Sequence, residues 1–586
     1  MSVFKQAWLL LNYKQKKYAV FIFILMFLAM FLEALSIGIM LPLLSILLKG
    51  NVDSSVFSYF FTFGNPTGNN LIYIGLSATF IIFLIKNLVL AFNLWQQAKF
   101  LQKTLAELTN KLFKYYLKSD YMFFLQTNSS HLYRNLTNII GTFIEYINKY
   151  MILLSEIIVF TGIAFILFYI NFVGTIIILF SVSAVAYLIY ISTIGRISFL
   201  GKERNIIHGE LNKHLFQGMA SAKDVKILDR EEELIYQVDK NLFKMSRLNH
   251  IILFIQGIPR YLFEMLMVFS FSIIVLVMMS AKREIVDIIL YLGVFSVASF
   301  RIVPSAARML TSFQAIKHIE PAVKILLQAF DSKNNFYAKT NYQPKNSSIP
   351  LKFQEEINLT NLSFSYPVRK EFSLSKISMT IKKEDFIGII GETGSGKSTL
   401  INLLIGLLKP TEGKVEVDKL NINSNLPEWH KKIGYVPQSV YLMDDTIRKN
   451  IAFGLREDDI DDALIKQAVE KASLNKFLDN LTDGLETIVG EKGIRLSGGQ
   501  QQRIGIARAL YRDPEILILD EATSSLDQTT EKKIMESVRL LKKQKTLIII
   551  THRLSTVKNC DKIFFIDKGK ITKEGSPKEI LNNIEV

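Results

Sequence analysis

The chain has one cysteine, Cys560, in 586 residues. A single thiol excludes an intrachain disulfide and a cysteine-based zinc cluster, so the fold needs no oxidising compartment. Glycine (30 residues), proline (13) and charged residues (21%) are near ordinary usage, which excludes disordered, collagen-like and low-complexity classes. Acidic residues are scarce: 53 Asp and Glu stand against 69 Lys and Arg, a net charge of +16. Because 49% of the residues are nevertheless hydrophobic and the mean hydropathy is +0.25, the composition predicts membrane insertion rather than nucleic-acid binding.

The positive charge belongs to the first part of the chain. Residues 1–350 hold 33 basic and 19 acidic side chains, whereas residues 351–586 hold 36 and 34. The first part also contains six apolar runs whose length suits a transmembrane helix; they lie near residues 18–48, 71–94, 141–170, 172–194, 251–280 and 285–310. The third and fourth runs almost touch, and we expect a hairpin at Asn171 and Gly174, since the joined run is far too long for one crossing.

The topology follows from the lysines before the first run. Lys5, Lys14, Lys16 and Lys17 occur there without an acid, which predicts a cytoplasmic N-terminus. Six crossings then return the chain to the cytoplasm before residue 320, with long inner segments from Lys99 and from Gly195 expected as helices. We therefore expect a transmembrane domain over 1–320, a polar linker over 321–350 and an α/β domain over 351–586.

A complete phosphate-binding motif follows a buried strand at Phe386. The strand runs directly into Gly391-Glu392-Thr393-Gly394-Ser395-Gly396-Lys397-Ser398-Thr399. In such a loop the backbone N–H groups wrap phosphate oxygens, the lysine reaches the β- and γ-phosphates, and the serine hydroxyl ligates Mg²⁺. The predicted ligands are therefore ATP and Mg²⁺.

A second apolar strand, from Ile516, ends in Asp520-Glu521. An acid at the carboxyl end of such a strand lies beside the phosphates. We expect Asp520 to hold Mg²⁺ and Glu521 to orient and polarise the attacking water. Two adjacent acids alone would more often mark a solvated strand end. Because a phosphate loop lies upstream, we interpret this pair as catalytic.

Further motifs resemble those of ATP-binding cassette (ABC) proteins. The resemblance rests on Tyr366 in an adenine-stacking loop, Gln438 in Tyr435-Val436-Pro437-Gln438, Ser524-Ser525-Leu526-Asp527, His552, and the signature Leu496-Ser497-Gly498-Gly499-Gln500. With six spans before them, the chain resembles a half-size ABC exporter. That resemblance implies that Gln438 reaches Mg²⁺ and the reaction, that His552 senses the γ-phosphate, and that Ser497, Gly498, Gly499 and Gln500 contact ATP held by the opposite subunit of a homodimer.

Cations inside the spans are the clues to the cargo. Lys86, Arg260 and Arg301 fall in the second, fifth and sixth runs, and together they favour an anion-binding cavity. For each residue alone, snorkelling or pairing with Glu33, Glu145, Glu156 or Glu264 is about as plausible. For Arg308, near a helix end, we expect snorkelling.

The segments around Arg260 and Arg301 resemble membrane segments of the bacterial lipid-linked oligosaccharide flippases. That resemblance implies that the stretch 54–63 is the short external helix of this family. Equally, that stretch could extend the first helix or form a packed loop. The leading hypothesis is ATP-driven flipping of a polyprenyl-pyrophosphate oligosaccharide across a bacterial inner membrane, with no nucleic-acid partner. Export of a lipopolysaccharide precursor, peptide or drug is the close alternative. A channel regulator or ATP-gated receptor on the same fold is an alternative of another class.

Overall fold

A computed structural model describes residues 3–39, 69–330, 350–367, 372–522 and 528–582. Four sequence expectations lie outside these residues in whole or in part: the end of the first apolar run, the stretch 54–63, most of the linker (331–349), and the loop 524–527. The chain divides into two compact units. The first comprises residues 1–119 and 127–338, and the second comprises residues 120–126 and 339–586.

The first unit is helical. Its helices are α1 (Val3–Leu10), α2 (Tyr13–Gly38), α3 (Asn69–Leu117), α5 (Ser129–Arg134), a π-helical turn (Asn135–Ile139), α6 (Ile140–Ile170), α7 (Phe172–Ala220), α8 (Ala222–Ile227), α9 (Glu231–Ser280) and α10 (Ile285–Phe330); α4 (Tyr121–Gln126) belongs to the second unit. Within the described chain six helices are long and apolar enough to cross a membrane. They are Tyr13–Gly38, Gly75–Leu117, Ser129–Ile170, Phe172–Ala220, Glu231–Ser280 and Ile285–Gln328, which confirms the predicted helical membrane domain.

The third and fourth spans are separated at Asn171, as predicted. Its backbone is extended (φ −152°, ψ 104°), and its side-chain oxygen accepts a hydrogen bond from the N–H of Gly174 at 2.8 Å. Asn171 therefore ends α6 and caps α7. A Cβ on Gly174 would approach the ring of Phe295 to 2.8 Å, so this glycine lets the start of α7 lie directly against α10.

One expectation about the helical unit is confirmed and one needs correction. The inner segment from Lys99 is helical, as expected: α3 ends at Leu117 and the short apolar helix α4 follows. Tyr121 and Met122 of α4 pack against the core of the second unit. However, α10 continues through Pro321 to Phe330, ten residues into the expected linker. Burial of Ala322, Val323 and Leu326 explains this extension, since their apolar surface stabilises further helical turns.

The second unit contains two sheets and the short helices between them. A four-stranded antiparallel sheet has the order β2 (Leu374–Lys382), β1 (Glu356–Phe364), β4 (Glu412–Val417), β5 (Leu420–Asn421). A six-stranded sheet has the order β10 (Lys570–Gly575), β9 (Lys562–Asp567), β3 (Phe386–Ile390), β8 (Thr546–Ile550), β7 (Ile516–Asp520), β6 (Ile433–Val436). Strands β9, β3, β8, β7 and β6 are parallel, and β10 is antiparallel to β9.

The parallel strands β3, β7 and β8 are buried along their whole length, which is why they appear in the sequence as continuous apolar runs. The connecting helices are α11 (Lys397–Leu404), α12 (Leu426–Lys431), α13 (Ile447–Ile451), α14 (Asp462–Lys471), α15 (Asn475–Leu478), α16 (Gly498–Leu510), α17 (Gln528–Leu540), α18 (Leu554–Val557) and α19 (Pro577–Asn582). The α/β class of this domain is confirmed. Its chemical residues follow the carboxyl ends of the central strands, where such folds place their ligands.

Candidate active site

The phosphate loop joins β3 to α11 through three glycines with positive φ. Gly396 caps α11 in a left-handed conformation (φ 107°), where a Cβ would meet the Ser373 carbonyl oxygen at 2.9 Å. At Gly391 (φ 156°) a Cβ would approach the Ile566 carbonyl oxygen to 2.1 Å. Only glycine therefore allows the loop to turn so closely under the helix N-terminus, which leaves the loop N–H groups to receive phosphate.

Lys397 is buried beneath this loop, with only 6% of its surface exposed. Its ammonium donates hydrogen bonds to the carbonyl oxygens of Gly391 and Glu392, both at 2.8 Å. Burial lowers the pKa of Lys397, while the charges of Glu521 and Asp520 oppose that shift. The lysine is thus held next to both acids predicted from the sequence, and its present acceptors are backbone carbonyls that phosphate oxygens can replace.

Asp520 ends β7 and is 8% exposed. Burial raises the pKa of its carboxyl group, and a hydrogen bond from the Tyr435 hydroxyl to Oδ2, at 3.1 Å, opposes that shift. Sequence reasoning missed Tyr435 as a functional residue. The available signal was its position at the end of β6, three residues before Gln438, because β6 lies beside β7 in the sheet.

Glu521 is the point where three predicted residues meet. The Gln438 side-chain nitrogen donates to Glu521 Oε2 at 2.8 Å, and His552 Nδ1 lies 3.6 Å from Oε1. The backbone N–H of Glu521 donates to the Ile550 carbonyl oxygen at 2.9 Å, and its φ is +46°. A carboxylate held between an amide donor and an imidazole can orient a water and accept its proton.

Tyr366 lies next to the phosphate loop. Its hydroxyl is 3.2 Å from Thr399 Oγ1, and its ring meets the ring of Phe364 edge to face, with the centroids 4.9 Å apart. The side chain is half-buried, so part of the ring stays available to a base. This placement is compatible with the adenine-stacking role expected from the resemblance.

The loop suits ATP with Mg²⁺. Ser398 is exposed at the first turn of α11, so its hydroxyl is accessible to a metal ion. Ser395 Oγ is buried without a hydrogen-bond partner among the described residues, and so it retains unused bonding capacity inside the loop. ATP supplies the γ-phosphoryl group, and Mg²⁺ neutralises the charge that develops on it; Ser398, Gln438 and Asp520 would hold the metal.

The signature segment forms the N-terminus of α16. Ser497 caps the helix: its side chain accepts from the Gln500 N–H at 3.3 Å, and the Gln500 side chain accepts from the Ser497 N–H at 2.8 Å. Within the described residues, the hydrogen bonds of Ser497, Gly498, Gly499 and Gln500 stay inside this cap and helix. Ser497 and Gly498 are exposed, so this helix N-terminus is open to an anion from another molecule.

The structure pairs two of the three membrane cations with acids. Arg301 on α10 contacts Glu33 on α2 (Nε–Oε1 2.6 Å), and Lys86 is close enough to both for electrostatic interaction. Arg260 donates to Glu264 one helical turn away, at 2.9 Å, and this pair is exposed. Lys86 is therefore within electrostatic range of the Arg301–Glu33 pair, whereas the described contacts do not bring Arg260 to them.

Arg308 does not snorkel toward a headgroup layer as expected. Its Nε donates to Glu156 Oε1 at 2.6 Å, and the Ser305 hydroxyl donates to the other oxygen of the same carboxylate. Glu156 is 7% exposed. A buried carboxylate is costly unless it is paired, so the arginine turns inward to compensate it.

Comparison with known proteins gives relatives that match part of the chain. Residues 374–524 match the family model of the ABC transporter. ATP-dependent lipid A-core flippases of Ralstonia nicotianae and Nitrosococcus oceani are 38% and 42% identical, over 39% and 38% of this chain and the same shares of theirs. A probable multidrug resistance ABC transporter ATP-binding/permease protein of Bacillus subtilis is 43% identical over 40% of each chain. The chain spans between 17% and 43% of the length of the curated relatives it matches.

The likeness of the whole fold is broader. A structure of a bacterial Atm1-family ABC exporter with ATP bound aligns over 97% of both chains, with a TM-score of 0.76 and 19% identity. At this level of identity the alignment establishes the fold: six spans followed by the ATP-binding domain.

Proposed function

We propose that this chain, an ABC exporter half-transporter by its fold and its ABC transporter domain, hydrolyses ATP to move an amphiphilic substrate across the membrane. The observation that carries the proposal is the meeting of Gln438, Glu521 and His552 beside the Lys397 loop. In this arrangement Glu521 holds the attacking water and takes its proton. Lys397 stabilises the charge on the transferred phosphoryl group. His552, next to Glu521, contacts the same group.

The working unit in this proposal is a homodimer. An open helix N-terminus at Ser497 is an anion site without a phosphate loop against it in the same chain's described contacts. Two chains arranged head to tail would bring each Ser497 to the ATP on the partner's loop. ATP binding would then close the two domains together, and hydrolysis would let them part.

The cargo we propose is a lipid-linked oligosaccharide with a polyprenyl pyrophosphate, moved from the inner to the outer leaflet of a bacterial inner membrane. The support is the Lys86, Arg301 and Glu33 cluster, whose two cations and one anion leave one positive charge uncompensated within the spans. A charge in that setting is costly unless a partner neutralises it, and a pyrophosphate would do so. A lipid A-type anionic lipid is the second candidate, because lipid A-core flippases are among the relatives that match part of this chain.

The test is reconstitution in liposomes containing a fluorescent polyprenyl-pyrophosphate glycan, a lipid A precursor or a neutral drug. We expect ATP to deplete the glycan from the leaflet on the side of the ATP-binding domain. The double variant Lys86→Gln/Arg301→Gln should abolish this loss. Lys103→Gln, which removes an exposed cation from α3, is the matched control and should flip normally. Preferred transport of the lipid A precursor would select the second candidate. Undiminished glycan flipping in the double variant would contradict the proposed pyrophosphate site. ATP hydrolysis without transport of any of the three substrates would contradict the proposed export function.

A further inference from the structure

A polar cavity of about 280 Å³ lies within the helical unit. Its walls come from the π-helical turn and the first residues of α6, from the middle of α7 and from the end of α10. These residues belong to the inner segments that the charge pattern assigns to the cytoplasmic side. The cavity is lined by Arg134, Arg204, His208 and His318 and by the uncharged polar residues Thr137, Asn138, Thr142 and Asn205. No aspartate or glutamate is among its lining residues.

The two arginines have unused capacity to donate. Arg134 Nε is buried and has no hydrogen-bond partner among the described residues. Within the same part of the chain, no carboxylate lies within 4.0 Å of the guanidinium of Arg134 or of Arg204. Arg134 is half-buried and Arg204 is exposed, so only Arg134 Nε is a buried donor that lacks an acceptor. Because neither guanidinium is paired with a described carboxylate, the cavity carries positive charge that an anion can neutralise.

His318 positions Arg204. Arg204 Nη1 lies 3.2 Å from His318 Nε2, and because a guanidinium only donates, Nε2 must accept and the ring must be neutral. The ring proton then sits on Nδ1, which faces the backbone of Ile197 without a well-formed hydrogen bond. A Cβ on Gly201 would come within 2.4 Å of the His318 carbonyl oxygen, so the glycine is what allows α7 and α10 to approach here.

His208 on α7 and the π-helical turn add further polar groups to the cavity. His208 Nδ1 lies 3.1 Å from the Asn212 amide nitrogen, so Nδ1 accepts and the proton of a neutral ring is on Nε2. Arg134 and Arg204 both lie close enough to His208 for their charges to act on it. The π-helical turn Asn135–Ile139 inserts a residue into the helix and places Thr137 and Asn138 at the cavity. Such turns inside helices occur frequently at functional sites.

We propose that this cavity binds a phosphate or pyrophosphate group. Two guanidinium groups without acids, and amide and imidazole donors around them, match the many acceptor oxygens and the charge of such a group. The volume suits a headgroup or a free anion rather than a whole lipid, since pockets for drug-sized ligands begin at roughly 300 Å³. The site shares no residue with the Lys397 loop or with the Lys86 and Arg301 cluster. Its occupancy can therefore be measured without ATP turnover or transport.

The experiment measures binding of labelled inorganic pyrophosphate to the full chain in phosphatidylethanolamine nanodiscs without nucleotide. All samples carry Lys397→Ala, which disables the phosphate loop as a competing site. Arg134→Gln and Arg204→Gln are each expected to weaken binding by roughly tenfold or more, because each removes a charge-assisted hydrogen bond. Lys202→Gln, an exposed cation on the same α7 outside the cavity, should bind as the parent does.

A second arm identifies the source of the phosphate group. Polyprenyl pyrophosphate in the nanodisc should displace the labelled anion if the natural ligand is a lipid headgroup; failure to displace it assigns the site to a soluble anion. Arg204→Lys keeps the charge, and its affinity should fall between those of the parent and Arg204→Gln. If a glutamine variant does not fold, the comparison of Arg204→Lys with the parent replaces it as the test. No pyrophosphate binding by the parent, or equal affinity in the arginine variants and Lys202→Gln, would overturn the proposal.

Discussion

The guanidinium of Arg301 contacts both carboxylate oxygens of Glu33, with Nε 2.6 Å from Oε1 and Nη2 2.9 Å from Oε2. The pair joins α2 to α10, the first and last spans of the described chain. Glu33 is 4% exposed and the side chain of Arg301 is 27% exposed, so the carboxylate would be buried and the guanidinium partly buried without its partner. The two residues are therefore expected to behave as one unit toward stability.

Glu33→Gln alone should lower the stability of the helical unit by about 3 kcal/mol, because it leaves Arg301 uncompensated. In Glu33→Gln/Arg301→Gln part of that loss should be recovered, with a coupling energy of about 1–3 kcal/mol. Unfolding of the purified protein in detergent measures both. Glu264→Gln, which removes an exposed partner of Arg260, serves as the control and should change stability little. Additive effects in the double variant would show that the pair is not coupled.

Glu521→Gln should reduce steady-state ATP hydrolysis by roughly 100-fold or more, since an amide cannot accept the proton of the attacking water. ATP affinity should be retained, because Lys397 and the loop glycines are untouched. Phosphate release and equilibrium binding of labelled ATP separate the two effects. Glu574→Gln on β10, an exposed acid paired with Lys562, is the control and should hydrolyse ATP normally. Normal turnover in Glu521→Gln would remove Glu521 from the reaction.

Tyr435→Phe should raise the Mg²⁺ concentration needed for half-maximal ATP hydrolysis by about tenfold, because the hydroxyl that orients Asp520 is lost. The maximal rate at saturating Mg²⁺ should change much less. A Mg²⁺ titration of phosphate release provides the measurement. A fall in the maximal rate with an unchanged Mg²⁺ requirement would contradict the assignment of Tyr435 to the metal-binding acid.

Complementation tests whether the nucleotide sites are shared between subunits. Lys397→Ala and Ser497→Arg should each be inactive as pure proteins. If each site combines one chain's loop with the partner's signature, co-expression yields mixed dimers with one intact site and should restore part of the ATPase activity. Sites contained within one chain would stay inactive in every combination. Two affinity tags allow purification of the mixed species, and phosphate release reports the outcome.

Cys560 should resist alkylation in the folded protein. It is 6% exposed, and burial raises the pKa of its thiol to about 12. At pH 8 the reactive thiolate is then about a thousandfold rarer than for an ordinary cysteine. Iodoacetamide labelling followed by intact-mass measurement should show slow modification of native protein and rapid modification after denaturation. Equal rates in the two states would show that the thiol is accessible.

The sequence predicted the fold class because its signals are local. Six apolar runs, a glycine-rich loop after a buried strand and an acid pair after another strand each need only neighbouring residues. Glu521, Gln438 and His552 come from three separate segments, yet their motifs were sufficient to nominate all of them. The structure adds the distances that join them.

Long-range partners were beyond the sequence. Four acids were available to the membrane cations, and no periodicity indicates that Arg301 takes Glu33, 268 positions away. The helix α4 was missed because six residues are too few for a reliable pattern, although its apolar side chains interrupt a polar segment. Tyr435 was missed because its role depends on β6 lying beside β7, a strand more than 80 positions later.

The left-handed backbone of Glu521 has a consequence for engineering. A side chain at φ +46° costs about 1–2 kcal/mol relative to glycine, so Glu521→Gly should make the domain more heat-resistant while it abolishes hydrolysis. Selection of random variants for thermal resistance alone would therefore favour inactive chains at this position. Directed evolution of this protein needs a screen that rewards turnover and stability together.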